Sequence, residues 1–182
     1  MSPSEEGAPA KHQIDVHTTV SGWHSRPYLA IVSHATAWPS PDPAAAVLQD
    51  QAKRWMDEQR PRYDVVTSQF VFDEAGMGDP DAAARRLAML DGIPVLPVNP
   101  DAETVADEIV GRSMMPASAR IDALHVAAAA LAGVQYLLTQ NCKHIANARE
   151  LPRIYRLFDE LGLSGMLICT PIEFLGGDDD DT

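Results

Sequence analysis

The stretch from residue 118 to residue 147 constrains the fold more than any other part of the chain, because it joins a helix, a strand and a polar loop. Its first part is almost continuously apolar and ends at Gly133, a residue type that often closes a helix in the left-handed conformation. A second apolar run over 134–139 follows at once, and the chain turns polar at Gln140 and Asn141. This order predicts a buried helix that leads into a buried strand, as in parallel α/β sheets.

Asp122 stands out within this helix, since it lies among alanines one turn before His125. An ionised carboxylate in apolar surroundings needs a partner or changes its protonation state. We expect the partner to be a metal ion that Asp122 shares with Asn141 at the end of the strand. The alternative is that Arg120 or a backbone amide satisfies the carboxylate. His125 itself is predicted to pack against the sheet.

Strands and helices alternate along the rest of the chain and predict a three-layer α/β/α sandwich with a parallel sheet of about five strands. The predicted strands are 28–32, 63–72, 93–98, 134–139 and 166–170. The predicted helices are 43–59, 80–90, 104–113, 119–132 and 151–161, with a helical turn at 171–175. An alternative first strand is the weakly alternating segment 14–20. Active groups of such sheets gather beyond the carboxyl ends of the strands, which is where Asn141 falls.

Three helices begin with residues that are typical of helix N-termini. Asp42 precedes Pro43 and Asp79 precedes Pro80, an order in which the aspartate caps the helix and the proline opens it. Ser118 is a further predicted N-cap, and Asp79 is accordingly interpreted as structural. The helix over 43–59 is predicted to bury one face, made of Val47, Leu48, Ala52, Trp55 and Met56.

The composition bounds the class of protein. A chain of 182 residues with 46% hydrophobic content suits one domain, predicted over 27–175, between a flexible leader (1–26) and an acidic tail (176–182). The net charge of −12 makes the surface a poor generic binder of phosphate backbones, so nucleic-acid chemistry would need bound cations. Two cysteines without a CxxC pair favour a reducing cytoplasm. The sequence contains neither a membrane-spanning run nor a secretory signal, which predicts a cytoplasmic protein without membrane contact.

Several enzyme classes are excluded by missing motifs, since the chain has no GxGxxG, GxxxxGK[ST] or GxSxG segment. What remains is a set of oxygen donors spread along the chain: Glu74, Asp122 and Asn141. Mg²⁺ and Mn²⁺ prefer such oxygens and commonly act on phosphodiesters. Asp73 replaces Glu74 in this set if the helix phase differs by one residue. Asn141 has an alternative role as a cap of the turn that follows it.

Three segments of the chain closely resemble the PIN-domain family, and within it the VapC-like proteins. These segments are SQFVFDEAGMGDPDAAARRL, ARIDALHVAAAALAGVQYLLTQNCKHIANA and ICTPIEFL, in this order. The resemblance runs from about residue 27 to residue 175. It implies a parallel five-stranded sheet between helices and a ribonuclease that depends on Mg²⁺ or Mn²⁺. It also implies a small antitoxin protein as partner and pairing of the toxin into homodimers.

The resemblance assigns roles to individual residues. Glu74 takes the place of the second acid of the family and Asp122 that of the third. Asn141 stands where many relatives have a fourth acid, and Thr139 matches a hydroxyl residue that often accompanies it. Lys143 and His144 are interpreted as residues that could face substrate phosphates, whereas the tryptophans Trp23, Trp38 and Trp55 are interpreted as packing residues.

The chain departs from the family at the first acid. PIN domains carry an aspartate at the end of the first strand, in a motif like YLDTS, whereas this chain has Ala30 in the segment Tyr28–Ser33. A second register would bring Asp15 or His17 to this position at the cost of a long insertion before residue 35. Loss of one metal ligand commonly lowers a reaction rate by orders of magnitude, because the ion then no longer orients water and phosphate.

Two hypotheses about function therefore remain. The first is a metal-dependent endoribonuclease of the toxin type, in which Glu74 and Asp122 hold the ion and Asn141 holds a water or serves as a further ligand. The second is a PIN-like binding or interaction module without useful nuclease activity. Neither the RNA target nor the identity of an antitoxin follows from the sequence.

Overall fold

The computed structural model describes residues 26–31, 43–97 and 99–176, and these residues form the predicted α/β fold. Four strands make one fully parallel sheet in the order β2–β1–β3–β4. The strands are β1 (Tyr28–Ile31), β2 (Asp64–Thr67), β3 (Tyr136–Leu138) and β4 (Leu167–Cys169). The central strand β1 is the segment that the sequence favours, and the alternative segment 14–20 lies outside the described residues.

The fifth predicted strand, over 93–98, is reduced to one parallel bridge between Thr67 and Val95. Two backbone hydrogen bonds make this bridge, from Thr67 N–H to the Pro94 carbonyl (2.9 Å) and from Leu96 N–H to the Thr67 carbonyl (2.7 Å). Pro94 and Pro97 carry no N–H, so the ladder cannot extend through them. The segment therefore ends the sheet beside β2 without becoming a full strand.

Seven α-helices connect and cover the strands in the described ranges. They are α1 (Pro43–Arg54), α2 (Gln69–Ala75), α3 (Pro80–Met89), α4 (Ala102–Gly111), α5 (Arg120–Leu131), α6 (Leu151–Leu161) and α7 (Ile172–Leu175). The predicted helix over 43–59 is present as α1 followed by a π-helical turn, Trp55–Gln59. None of the described helices combines the length and the apolarity that a membrane crossing requires.

The segment 63–72 is a strand only in its first half, which corrects the sequence prediction. After Thr67 the backbone becomes helical, because Val71 and Ala75 then lie one turn apart and are both fully buried. A β-branched and aromatic run such as Phe70–Phe72 favours a strand locally, but burial of one helical face outweighs that preference. The helix that carries Asp73 and Glu74 therefore begins already at Gln69.

The helix termini agree with the sequence at some positions only. Asp79 caps α3, since its Oδ1 accepts the Ala82 N–H at 2.9 Å, and Gly133 follows α5 with a φ of 69° as predicted. Ser118 is not the cap of α5. It lies within a 3₁₀ turn, and Ala119 occupies the N-cap position instead. Asp42 lies outside the described residues.

The two faces of the sheet bury different side chains, which establishes the three layers. Leu29 and Ile31 of β1 pack on one face with Trp55 and with three further rings, Tyr63, Tyr136 and Phe174. Ala30 packs on the other face, with α4, α5 and α6. The prediction that Val47 and Leu48 are buried is wrong among the described residues, since they are 57% and 40% exposed. Trp55 is buried as predicted, whereas the other two tryptophans lie outside the described residues.

Candidate functional site at the carboxyl ends of the strands

Three strands end side by side, and this edge of the sheet positions the candidate site. Ile31 pairs with Thr67 on one side and with Leu138 on the other, so β1, β2 and β3 end at the same level. Helix α5 precedes the parallel strand β3 and runs back along the sheet, which brings its first turns to this edge. Asp122, His125, Ser68 and Asn141 are consequently drawn from three separate segments towards one end of the fold.

Glu74 is in contact with α5 through His125. Its Oε2 lies 3.0 Å from His125 Nε2, and the Glu74 side chain is 29% exposed whereas that of His125 is 1% exposed. The neighbouring Asp73 points to solvent and accepts a hydrogen bond from Gln69 Nε2 at 2.9 Å. The helix phase therefore directs Glu74, and not Asp73, towards α5.

The other nitrogen of the His125 ring, Nδ1, faces Ser68 Oγ at 3.4 Å. A carboxylate offers only acceptors, so His125 Nε2–H donates to Glu74, and in the neutral ring Nδ1 then accepts the Ser68 hydroxyl hydrogen. Ser68 occupies the N-cap position of α2, yet its hydroxyl makes no capping hydrogen bond to that helix. The hydroxyl is thus used for the histidine instead of for its usual role at a helix N-terminus.

Asp122 faces a different histidine, in the loop after β3. Its Oδ2 lies 3.6 Å from His144 Nδ1, which is longer than a hydrogen bond, and the two side chains are 23% and 15% exposed. Arg120 is not its partner, because the guanidinium binds Asp107 at 2.9 Å and lies 3.7 Å from Glu103. The hydrogen bond to Asp107 also raises the pKa of Arg120. Asp122 is therefore paired loosely, with a histidine that its own helix does not carry.

Asn141 caps the turn that carries His144, which is the alternative role that the sequence left open. Its Oδ1 accepts the His144 N–H at 3.0 Å, and its own N–H donates to Thr139 Oγ1 at 3.1 Å. Thr139 is fully buried, so this hydroxyl anchors the loop to the end of β3. A carbonyl oxygen has two lone pairs. A role for Asn141 as a metal ligand accordingly stays a prediction.

The structure brings the two predicted acids to one helix without pairing them with each other. Asp122 and His125 lie three residues apart on α5 and so share a face. Glu74 approaches this face through His125, and the 141–144 loop approaches it through His144. In the described part of the chain, no three side chains of histidine, cysteine, aspartate or glutamate form a metal-binding group.

The donor chemistry nevertheless suits a hard divalent cation. Mg²⁺ is commonly held by one or two carboxylates, with waters and substrate phosphates filling the remaining positions. Glu74 and Asp122 are both partly exposed, so a hydrated ion can reach them without entering the apolar core. Glu74 and Asp122 together supply two carboxylates, and this donor set fits Mg²⁺ or Mn²⁺.

The first strand supplies no acid to this edge. Ala30 is buried between Val66 and Leu137 in the middle of the sheet, and β1 contains only Tyr28, Leu29, Ala30 and Ile31. Asp15 and His17, the proposed substitutes, lie outside the described residues. The departure from the family pattern therefore falls on the central strand of the sheet.

Two residues of this arrangement escaped the sequence analysis. Ser68 lies within the strand predicted over 63–72, and it reaches the carboxyl edge only because the strand ends at Thr67. His125 was expected to be buried, and it is, but its hydrogen bonds to both neighbours were not predicted. The signal for His125 is its spacing of three residues from Asp122.

The chain was compared with models of known protein families, with curated proteins and with solved structures, and none of the three comparisons found a match. The resemblance to PIN domains consequently stays a prediction from the residues quoted above. The described fold is compatible with it through the parallel α/β architecture.

Proposed function

We propose that this chain is a PIN-like endoribonuclease of the VapC type that depends on Mg²⁺ or Mn²⁺. The observation that supports the proposal most is that Glu74, on α2, contacts His125, which lies on the same face of α5 as Asp122. The site lies where α/β sheets usually carry their active groups. RNA is the substrate that the resemblance to VapC-like proteins implies, and a bound cation would offset the acidic surface that otherwise repels phosphates.

Each residue of the proposed site has a distinct task. Glu74 and Asp122 hold the ion, which when bound polarises the phosphate and lowers the pKa of a water. Asn141 keeps the loop in its turn, so that His144 stays beside Asp122. Lys143 is exposed in the same loop and offers a positive charge to the RNA backbone.

The test is RNA cleavage by purified protein in Mn²⁺, with Asp122→Asn compared with the wild type. We expect the substitution to lower the cleavage rate by a factor of about 100 or more, since it removes one of two carboxylates that hold the ion. Asp73→Asn is the matched control, because Asp73 is an exposed acid next to Glu74 that points away from α5. If the wild type and Asp122→Asn cleave equally, or if neither cleaves, the ribonuclease proposal fails.

A second candidate function is a PIN-like interaction module without nuclease activity. Two observations favour it: β1 carries Ala30 and no acid, and each remaining acid already has a histidine neighbour. This candidate predicts no cleavage by any variant and no dependence of binding on Mn²⁺. The same cleavage assay therefore separates the two candidates.

A small antitoxin protein and a second copy of the chain are the proposed partners. A toxin of this type would be blocked by an antitoxin encoded beside it, so a short reading frame for a DNA-binding protein next to the gene is expected. Co-expression with that protein should suppress cleavage. The homodimer is tested by light scattering, where a monomeric mass at all concentrations would contradict it.

A further inference from the structure

A histidine buried at the candidate site uses both of its ring nitrogens. His125 is 1% exposed and faces the Phe70 ring edge-on, with 6.0 Å between ring centroids. Its Nε2 contacts Glu74 and its Nδ1 contacts Ser68. A ring held at both nitrogens and on one flank has a defined orientation.

The Ser68 end of this chain of contacts is attached to the sheet. Ser68 is buried and directly follows Thr67, whose hydroxyl donates to the Ile31 carbonyl at 3.0 Å. The Ser68 carbonyl accepts the Val71 N–H at 3.1 Å and so opens α2. The serine therefore sits where the central strands end and where the helix of Glu74 begins.

The order of the contacts excludes a nucleophilic serine. In a serine hydrolase the hydroxyl is accessible and the acid is buried behind the histidine. Here Ser68 is buried and Glu74 reaches the surface, so the series runs in the opposite direction. The Glu74 carboxylate is the end of this series that reaches the surface. The hydrogen bonds of Ser68 and His125 therefore act on the orientation of that carboxylate.

Glu74 needs such support because its own helix is short. Helix α2 has seven residues and is followed at once by Gly76, Met77 and Gly78. Helices of this length are not stable by themselves, and a glutamate side chain has several rotatable bonds. A donor fixed on the neighbouring helix α5 limits these motions.

We propose that His125 is a positioning residue for Glu74: Ser68 orients the ring, and the ring holds the Glu74 carboxylate towards the edge where Asp122 lies. The inference rests on the proposed function, since it gives Glu74 a metal to bind. Partners that orient a metal ligand in this way typically change metal affinity by about 10- to 100-fold when they are removed.

The first measurement uses the protein without metal. The ¹⁵N chemical shifts of the His125 ring report which nitrogen carries hydrogen, and we expect hydrogen on Nε2. Ser68→Ala should shift the Nδ1 resonance, because that nitrogen loses its donor. A ring with hydrogen on Nδ1, or one that does not respond to Ser68→Ala, would overturn the proposal.

The second measurement is Mn²⁺ affinity by titration. His125→Leu should weaken Mn²⁺ binding about 10- to 100-fold, whereas His125→Gln should stay within about threefold of the wild type, since the glutamine amide restores a donor near the position of Nε2. Ser68→Ala should weaken binding by less than His125→Leu. It also guards against misfolding, because it deletes one oxygen and no cap bond. Ser164→Ala, at an exposed serine between α6 and β4, is the matched control.

The outcomes separate the inference from the function on which it rests. A wild type that binds Mn²⁺ through Glu74, together with variants at His125 and Ser68 that bind it equally well, would overturn the positioning role alone. A wild type that binds no Mn²⁺ would overturn the proposed function, and with it any metal-related role of His125. Rescue by His125→Gln but not by His125→Leu supports the proposal.

Discussion

The two acids of the candidate site are held in opposite ways. The Glu74–His125 contact is 3.0 Å long, its histidine is buried, and Ser68 completes it from the end of β2. The Asp122–His144 contact is 3.6 Å long, and its histidine belongs to a partly exposed loop. The acid on the short helix therefore has the rigid partner, and the acid on the long buried helix has the adaptable one.

This difference indicates that Asp122 is fixed mainly by its backbone, whereas Glu74 is fixed mainly by a side-chain contact. α5 already fixes the backbone of Asp122, because the helix is buried along most of its length. The backbone of Glu74 lies near the end of a seven-residue helix, so its side chain gains most from a fixed donor. A rigid contact is consequently found where the backbone provides less order.

Replacing the buried histidine should give the largest effect on stability. We expect His125→Leu to lower the free energy of unfolding by about 3 kcal/mol, because it leaves the buried Ser68 hydroxyl without its partner and removes the donor to Glu74. His144→Leu should cost less than about 1 kcal/mol, since its Nδ1 is buried without a hydrogen-bond partner and lies 3.6 Å from Asp122. Urea unfolding of both variants measures the difference, and equal losses would remove the contrast between the two pairs.

A double-mutant cycle compares the two contacts directly. We expect the coupling energy of Glu74→Ala with His125→Leu to be about 1 to 2 kcal/mol, because each substitution removes the hydrogen bond. The coupling of Asp122→Ala with His144→Leu should stay below about 0.5 kcal/mol, because 3.6 Å is beyond hydrogen-bond length. A larger coupling for the loop pair would show that the structure ranks the two contacts in the wrong order.

Asn141→Ala should loosen one pair and leave the other intact. The substitution removes the acceptor of the His144 N–H, and we expect a loss of about 1 kcal/mol in unfolding free energy. Ring-proton resonances of His144 should shift, and those of His125 should not. Movement of both histidine signals would mean that the loop and α2 respond as one unit.

The reactivity of the two cysteines should show the same contrast between a solvated loop and a packed strand. This is the smallest of the predicted effects on stability. Cys142 is exposed in the loop of His144, whereas burial raises the pKa of Cys169 from its ordinary value of 9.0 to about 11, with a smaller contribution from Glu173. At pH 8 iodoacetamide should therefore modify Cys142 well before Cys169.

The raised pKa of Cys169 also determines how the stability of the fold changes with pH. The unfolded chain loses the Cys169 proton at lower pH than the folded chain, so its contribution to stability is complete below pH 9 and falls as pH rises towards 11. Cys169→Ser should flatten this fall in urea titrations between pH 8 and 11. A slope unchanged in Cys169→Ser would assign the effect to another group.

The architecture was predictable where a sequence pattern extends over many residues. Helix α6 was predicted with the bounds that it has, Leu151–Leu161, since its apolar residues repeat with helical spacing and Gly162 follows. The short edge segment at Val95 and the switch from strand to helix after Thr67 were not predictable in the same way. Both depend on which neighbours bury them, and a local pattern does not contain that information.

The candidate site was predictable as a list of acids, but not as a set of partners. Topology brings Glu74, on α2, and Asp122, in the first turn of α5, to one edge of the sheet, because parallel strands end at one edge. The pairing with His125 and His144 depends on side-chain geometry across 51 residues in one case and on a loop turn in the other. Ser68 lies inside the strand predicted over 63–72, and only the structure shows that its hydroxyl contacts His125.

The methyl side chains of α5 have a consequence for how the protein responds to random mutation. Ala123, Ala127 and Ala130 are almost completely enclosed, so a larger residue at any of them must push the whole rod-like segment aside. Asp122 lies on α5 and would be displaced with it. A genetic screen for variants that lose function should therefore also recover substitutions at Ala127 and Ala130, which are buried about one to two turns of α5 away from Asp122.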